Sequence, residues 1–459
     1  MKEDWYKERN KRTDSFSEIS NTCYEVRIKI KVISDPSYYS TQVMLAVLTN
    51  ILSRWCRNIC IICPDTNALI PKGEKADMQL LESLKRTMQA IDPNGNFNFE
   101  LSDNFKEDLV IFIGEPAENC PVPYVAVDSN GWIGSCAYNA YGKCKGEFND
   151  KNPLGAAFAA CLANAEVFRW ANNIKAESYQ KWYDLYAMTV SELSIINIIG
   201  FKSLNLGSVH IVGCGAIGSS FTYLLSLLDF TGELLFVDAD ASVELHNTSS
   251  SLLFKASHCD GTQKKTEICE KALENTGFQT QTFNDDYHHY QYDHRKKSNS
   301  ADLILCFAND FNIWSTIQNL YPPVVYHATT SRSWGINIGR HLPLKDGCIM
   351  CTFQNLATST FIPKCAAVDL PIKKEVQLDS SEEPHASILP FLSPAAAIVT
   401  LGEVIKLMLG KKGSENSVQF NMSTQTGDFL EDQQKAKNCD ICKNQSESIY
   451  RTLPIKLDY

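Results

Sequence analysis

Three glycines in the middle of the chain, Gly213, Gly215 and Gly218, have the spacing G-x-G-x-x-G. Glycine lets a chain turn tightly and lets a phosphate group approach the main chain. A helix that begins at such a turn presents free N–H groups and the positive end of its dipole to an anion. We therefore expect the loop, with Ala216 and Ile217 inside it, to hold the phosphates of a nucleotide.

Acidic residues follow the glycines at the distance that a ribose site needs. Asp238 lies about 20 residues after the third glycine, and Asp240 follows in the sequence VDAD. An acidic side chain at this place can hydrogen-bond ribose hydroxyls. The glycines and the acid alone would also suit a nicotinamide-dependent oxidoreductase, and without a ligand they would form a plain tight turn.

A second group of polar residues argues against a dehydrogenase. Asn247 follows the acids shortly, and Lys264 and Lys265 open a helical stretch. Lysine ammonium groups can meet triphosphate oxygens as point charges, and the start of the helix adds N–H donors. A dehydrogenase needs no such second cluster, although the lysines taken alone favour a solvated helix end.

Four cysteines form two C-x-x-C pairs that could bind zinc: Cys348 with Cys351, and Cys439 with Cys442. Two such pairs are the usual signature of a tetrahedral thiolate site. Four sulfur ligands would leave the metal no open position for catalysis, so its role would be to pin the C-terminal strands to the core. The gap between the pairs is far longer than in a zinc ribbon, and free thiols are the alternative.

The elements around the glycines must position all these groups. The apolar run 209–212 predicts a buried strand before the loop, 219–228 an amphipathic helix after it, and 234–237 a second strand that ends at Asp238. Strand, glycines, helix, strand and acid in this order predict a nucleotide-binding βαβ unit.

These motifs resemble those of the ThiF-type adenylyltransferases, which include the activating enzymes of thiamin and molybdopterin synthesis and the ubiquitin-activating enzymes. The family shares a glycine loop, a V-D-x-D acid pair, an N-x-x-R, a lysine at the next helix and an acid after the following strand. The resemblance covers residues 206 to about 409 well and the N-terminal third more faintly.

The resemblance implies ATP-dependent activation of a small ubiquitin-like (β-grasp) protein. The partner's C-terminal carboxylate would attack the α-phosphate, giving an acyl adenylate and releasing pyrophosphate. It implies that the glycine loop holds the phosphates, Asp238 the ribose, and Asn247 and Lys265 the triphosphate. Mg²⁺ would bridge phosphate oxygens. The family also clamps the end of its adenylation domain with cysteine pairs placed as here, which supports Zn²⁺.

Cys365 is the candidate nucleophile that the resemblance suggests. Family members that form a thioester carry a cysteine, often as Cys-Ala, on a crossover loop, and Cys365-Ala366 matches in order and position. Lys364 beside it could favour the reactive thiolate. An ordinary loop cysteine is the alternative.

Two positions depart from the family pattern. The arginine of N-x-x-R is Ser250 here, and the acid after the following strand is Asn309, with Asp310 one step later. Losing an arginine that steadies triphosphate charge could cost several orders of magnitude in rate. We expect Asp310 to serve as the magnesium-side acid if the loop shifts by one residue. An arginine from elsewhere in the chain or across a dimer could replace the missing one; the candidates are Arg9, Arg12 and Arg332.

Three functions therefore compete. The first is an activating enzyme, with a separate conjugating enzyme and a homodimer as further associations that the resemblance allows. The second is a degenerate subunit that binds the ubiquitin-like protein without making adenylate. The third is a NAD-dependent oxidoreductase. We favour the first, because the glycine loop, Asp238, Asn247, Lys265, the cysteine pairs and Cys365 all remain.

Helices alternate with short apolar strands along the whole chain, which is typical of an α/β, Rossmann-like doubly wound sheet. We expect an N-terminal arm over 1–20, mobile or formed as an exposed helix. Residues 21–195 lack the glycines and the acid pair, so we expect an inactive adenylation-like α/β half, with an unrelated substrate-binding domain as the alternative. Residues 196–459 would form the active adenylation domain, including crossover loop 352–390 and the zinc-binding C-terminal part.

The composition of the chain argues against several classes of protein. The 459 residues carry a net charge of −10, which argues against a general nucleic-acid binder. The chain has no apolar run of about 18 residues and no apolar secretory start, so we expect a cytoplasmic protein without a membrane span. The 17 cysteines then predict free thiols rather than a disulfide framework. We expect buried thiols at Cys56, Cys60 and Cys63, a polar loop over 287–300 and a small hairpin over 415–428.

Overall fold

The computed structural model describes most of the chain. The described residues are 2–15, 23–70, 78–99, 105–116, 120–145, 151–174, 177–197, 199–240, 242–294, 301–343, 345–352, 388–411, 416–427, 435–436 and 439–443. Cys365 and nearly all of loop 352–390 lie outside them.

The N-terminal half forms an eight-stranded sheet in the order β3-β2-β1-β4-β5-β6-β7-β8. The first five strands in this order are parallel and the others are antiparallel. The strands are β1 (Arg27–Val32), β2 (Asn58–Ile62), β3 (Asn96–Asn98), β4 (Leu109–Ile113), β5 (Tyr124–Asn130), β6 (Ile133–Tyr138), β7 (Tyr179–Asp184) and β8 (Thr189–Ser191).

The C-terminal half forms a seven-stranded sheet in the order β11-β10-β9-β12-β13-β14-β15. Here too the first five are parallel, and β14 and β15 are antiparallel. The strands are β9 (Asn205–Val212), β10 (Thr231–Val237), β11 (Gly277–Phe283), β12 (Leu303–Cys306), β13 (Val325–Thr330), β14 (Gly335–His341) and β15 (Ser417–Asn421). These seven strands follow the order of the first seven in the N-terminal sheet, so the fold is a pair of Rossmann-like sheets, as the sequence predicts.

Eleven described helices complete the two halves. The N-terminal half has α1 (Lys2–Asp14), α2 (Tyr39–Leu52), α3 (Leu80–Ile91) and α4 (Leu154–Ala171). The C-terminal half has α5 (Ala216–Ser226), α6 (Lys265–Lys271), α7 (Tyr287–His294), α8 (Phe311–Asn319), α9 (Ile349–Thr352), α10 (Leu392–Met408) and α11 (Asp440–Lys443). No described helix is long and apolar enough to cross a membrane.

One apolar core joins the halves. Helices α4 and α10 are buried along nearly their whole length. The ring of Phe168 on α4 lies 5.8 Å from Phe391 and 5.8 Å from Trp334, which belong to the other half. Because the sheets share this core, side chains of the N-terminal half can reach the site in the C-terminal half.

The first helix is not an exposed arm. Four side chains of α1 are buried, and Arg9 forms a fully buried ion pair with Asp92, with its Nη1 2.7 Å from Oδ2. The helix packs against the 3₁₀ turn Leu245–Ser249 of the C-terminal half. Its last turn therefore lies beside the predicted nucleotide site.

Two smaller expectations were wrong. The first part of the predicted loop 287–300 is helix α7, because Tyr287 and Tyr290 bury one face and Asp286 caps the start by accepting the His289 N–H at 2.8 Å. Of the hairpin expected over 415–428, the described residues 416–427 form strand β15, which pairs with β14, and a single antiparallel bridge between Asn421 and Thr426. Cys56 and Cys60 are buried as predicted, whereas Cys63 is partly exposed.

Candidate functional site

The glycine loop links β9 to α5. Gly213 has φ +96°, and a Cβ there would lie 2.5 Å from the Ala308 nitrogen, so only glycine fits. A Cβ on Gly218 would lie 2.0 Å from the Gly213 carbonyl oxygen, which explains why helix and loop can pack so closely. Helix α5 begins at Ala216, three residues earlier than predicted, with Gly215 at its N-cap. The helix start and the loop therefore face the same space.

Asp238 ends β10 and braces this loop. Its carboxylate accepts the Cys214 N–H at 2.6 Å and the Asp240 N–H at 2.9 Å. Burial raises the pKa of the Asp238 carboxyl, and the nearby Lys265 ammonium partly opposes this rise. Lys265 is buried and forms an ion pair with the exposed Asp240. The acid pair and the lysine thus belong to one charged cluster beside the glycines.

Asn247 and Ser250 lie in and directly after the 3₁₀ turn Leu245–Ser249. Asn247 Oδ1 accepts the Glu244 N–H at 2.9 Å, which holds the 3₁₀ turn Leu245–Ser249. Ser250 is 1% exposed, and its Oγ has no hydrogen-bond partner among the described residues. The same holds for Ser393 at the start of α10, which is fully buried. Both residues line one cleft together with the glycine loop, and their hydroxyls could bind a polar ligand.

Asn309 and Asp310 follow β12, where the chain turns into α8. Both line the cleft. Asp310 is also the N-cap of α8, because its Oδ1 accepts the Asn312 N–H at 2.8 Å and the Ile313 N–H at 3.3 Å. Capping accounts for one carboxylate oxygen, so a metal-side role would have to use the other.

The three candidate arginines lie in different places. Arg9 is fully buried against Asp92, and Arg332 is exposed. Only Arg12, in the last turn of α1, is among the described residues that line the cleft. Its carbonyl accepts the Ile388 N–H at 3.3 Å, and the next residue, Thr13, donates to the Ile388 carbonyl at 3.2 Å. The end of α1 is therefore fixed beside residue 388.

Every cofactor-binding candidate except Gly218 lines one cleft of about 740 Å³, and so does Asp310. The cleft lies where β9, β10 and β12 end, at the point where the strand order reverses, as is usual for ligand sites in open α/β sheets. Sequence reasoning missed several residues that line it, because no motif marks them: Asp285, Asp286, Tyr287, Thr330 and Ser393.

The four predicted metal ligands lie together. Cys348 Sγ is 3.7 Å from Cys351 Sγ and 3.5 Å from Cys439 Sγ, and Cys351 Sγ is 3.5 Å from Cys442 Sγ. All four sulfurs lie within 4.8 Å of one another. Zn–S bonds of about 2.3 Å in a tetrahedron require sulfur separations of about 3.8 Å. The sulfur positions therefore fit Zn²⁺.

The family model of the ThiF family matches residues 186–442, more than half of the chain. Similar solved structures include E. coli MccB with MccA-N7isoASN (18% identity, 52% of this chain and 67% of that chain, TM-score 0.39). Another is E. coli MccB with ATP (19%, 52% and 67%, TM-score 0.38). No curated protein matches. The family match shows that this chain belongs to the ThiF family of adenylyltransferases.

Proposed function

We propose that this chain uses ATP to activate the C-terminal carboxylate of a small ubiquitin-like β-grasp protein. The observation that carries the proposal is the single cleft, which brings the glycine loop, the acid pair, Lys265 and Asn247 together with Arg12. A cleft that combines main-chain N–H donors with cationic side chains suits adenylyl transfer, which depends on positioning and charge neutralisation.

In this proposal the glycine loop and the start of α5 bind phosphate oxygens through main-chain N–H groups. Asp238 accepts hydrogen bonds from the ribose, and Lys265, released from Asp240, binds the triphosphate. The partner's carboxylate oxygen forms a bond to the α-phosphorus, and the bond to the pyrophosphate oxygen breaks. Acyl adenylate and pyrophosphate are the products.

The metals have separate tasks. Asp310, Asn309 and Asp240 offer the oxygen donors that Mg²⁺ prefers, and Mg²⁺ would neutralise phosphate charge. Zn²⁺ would be held in a closed structural site, with no role in the reaction, by Cys348, Cys351, Cys439 and Cys442.

We propose that Arg12 supplies the positive charge that the family's arginine would carry at position 250. Its helix is fixed by the buried ion pair of Arg9 and by the contacts at Ile388, so the main chain from which the Arg12 side chain enters the cleft is held in place. An arginine that neutralises transition-state charge is worth several orders of magnitude in phosphoryl transfer. Its position supports a replacement from the N-terminal half.

The thioester step remains a proposal on sequence alone, because Cys365 lies outside the described residues. The Cys365 thiolate would attack the acyl carbonyl of the adenylate, and AMP would leave. We also propose that residues 21–195 are an inactive relative of the adenylation half. The shared strand order of the two sheets supports this proposal.

A binding-only subunit is the second candidate. The observation that favours it is the use of Asp310 as a helix cap, together with Ser250 and Asn309 at two family positions. An oxidoreductase is disfavoured by membership in the ThiF family.

Ligand titration and acyl transfer test the proposal. We expect calorimetry to show Mg·ATP binding that Lys265→Met weakens at least about tenfold, and no binding of NADH. With ATP and a candidate β-grasp protein, a thiol-sensitive adduct should form on the chain and be absent from Cys365→Ala. NADH binding without ATP binding would support the oxidoreductase. ATP binding without any adduct would remove the thioester step.

A further inference from the structure

Arg54 is a buried arginine of the N-terminal half that contacts the C-terminal half. It lies just after α2 and is fully buried. Its Nη1 donates to the carbonyl oxygens of Thr248 and Phe254, the latter at 2.9 Å, and its Nε donates to Asn50 Oδ1 at 2.9 Å. No carboxylate contacts it among the described residues. Burying a cation without a counter-ion costs free energy. Arg54 is therefore an unusual residue to find between two packed halves.

The segment that Arg54 contacts forms a wall of the cleft. Asn247 and Ser250 line the cleft from this segment. Asn50, four residues before Arg54, donates from Nδ2 to the Leu252 carbonyl at 3.0 Å. Together the two side chains of the N-terminal half therefore hold the main-chain oxygens of Thr248, Leu252 and Phe254.

The other side of the same segment is fixed by α5. Ser251 Oγ lies 2.7 Å from Ser219 Oγ, and the Leu252 N–H is donated to Ser220 Oγ at 3.1 Å. Since Ser219 and Ser220 follow the glycine loop directly, the segment is clamped between that loop's helix and Arg54. If this segment shifted, Asn247 and Ser250 would move relative to the glycine loop.

Ser250 occupies the centre of the clamped segment. Its Oγ is buried, has no hydrogen-bond partner among the described residues and lines the cleft, while Arg54 holds the carbonyls two residues before it and four residues after it. Leaving a buried hydroxyl unsatisfied is costly, and a ligand oxygen at this point would remove that cost.

We propose that Arg54 is a positioning residue of the nucleotide cleft: through the Thr248 and Phe254 carbonyls it holds Asn247 and Ser250 against the bound triphosphate. Its positive charge lies behind the segment that lacks the family's arginine. The inference rests on the proposed function, since it assumes that the cleft binds ATP. Nucleotide affinity would then depend on Arg54, whose side chain does not contact the nucleotide.

The test compares Arg54→Met with Arg54→Lys and with a control, Arg169→Met. Arg169 is also an arginine of the N-terminal half that donates to a carbonyl of the C-terminal half, Ser423, at 2.9 Å, but it lies outside the cleft and also pairs with the buried Glu166. We expect Arg54→Met to weaken Mg·ATP binding at least about tenfold, since charged hydrogen bonds to the wall are lost. Arg54→Lys should give a smaller loss, because an ammonium cannot reproduce the guanidinium fork. Arg169→Met should bind ATP as the wild type does.

Hydrogen exchange supplies a readout that does not depend on ATP. In Arg54→Met, amides of residues 251–254 should exchange faster, whereas Arg169→Met should leave them unchanged. If Arg54→Met does not fold, Asn50→Ala, which removes the bond to Leu252, takes its place with the same expectations. Unchanged ATP affinity and unchanged exchange in a folded variant would overturn the inference. Wild-type protein that binds no ATP would instead contradict the proposed function, and the exchange result would still decide whether Arg54 holds the segment.

Discussion

Alanine at two glycines of the nucleotide loop should have different effects. Gly213→Ala should lower the stability of the fold, whereas Gly215→Ala should weaken ATP binding. Gly213 has φ +96°, where an L-residue costs about 1–2 kcal/mol. The new methyl would also lie 2.5 Å from the Ala308 nitrogen and 2.8 Å from the Phe307 carbonyl carbon, both main-chain atoms. Strain and overlap together should lower the free energy of unfolding by about 2–4 kcal/mol.

Gly215 is the matched comparison. Its φ is −70°, and a Cβ there meets no protein atom within 4 Å. Gly215→Ala should therefore cost at most about 1 kcal/mol, mainly because alanine is a poorer N-cap than glycine. The methyl would nevertheless stand where the pyrophosphate approaches the main chain, so ATP affinity should fall at least about tenfold.

Urea denaturation followed by far-UV circular dichroism, without nucleotide, measures the first effect, and calorimetric titration with Mg·ATP measures the second. The expected pattern is a lower urea midpoint for Gly213→Ala and a near wild-type midpoint with weak ATP binding for Gly215→Ala. Gly215→Ala that binds ATP as tightly as the wild type would refute the placement of phosphates at the loop. An unchanged midpoint for Gly213→Ala would refute the steric reasoning.

Three further predictions concern Arg12, the four-cysteine cluster and a buried histidine. Arg12→Met should lower ATP-dependent turnover at least about a hundredfold in a pyrophosphate-release assay, whereas Lys11→Met, whose ammonium pairs with Glu8 on the surface, should not. Cys439→Ser should lose the single zinc that plasma mass spectrometry should find in the wild type, and the thermal midpoint should fall; equal metal content would count against the site. Burial lowers the pKa of His210 to about 4 from an ordinary 6.5, so the stability that the neutral ring contributes is complete above pH 6.5 and is lost as the pH falls towards 4. His210→Gln should therefore flatten the fall of the thermal midpoint between these pH values, and an unchanged slope would contradict it.

Local spacing explains what the sequence could predict. The glycine loop and Asp238 belong to one βαβ unit and Lys265 opens the next helix, α6, so local motifs were sufficient for these residues. The cysteine pairs are 91 positions apart, from Cys348 to Cys439, yet each pair carries its own short signal. For the four-cysteine cluster only the meeting of the two pairs depended on the fold.

Packing between distant segments explains what the sequence could not predict. Arg12 was one of three candidate arginines, and only the docking of α1 on the turn Leu245–Ser249 selects it. Arg54 contacts the cleft segment from the N-terminal half, Ser393 lines the cleft from α10, and neither carries a motif. The cap by Asp310 had a local signal, an acid directly before a helix, but the family pattern drew attention to its position as a metal-side acid instead.

The most direct test of adenylyl transfer is ATP–pyrophosphate exchange with a candidate β-grasp protein and with the same protein amidated at its C-terminus. Both forms should bind, but only a free carboxylate can take the adenylyl group. We predict exchange with the carboxylate form alone, in the wild type and equally in Cys365→Ala, because exchange precedes the thioester. Absence of exchange with a carboxylate partner that binds would contradict the account and leave the chain as a binding subunit whose Ser250 and Asn309 mark lost catalysis.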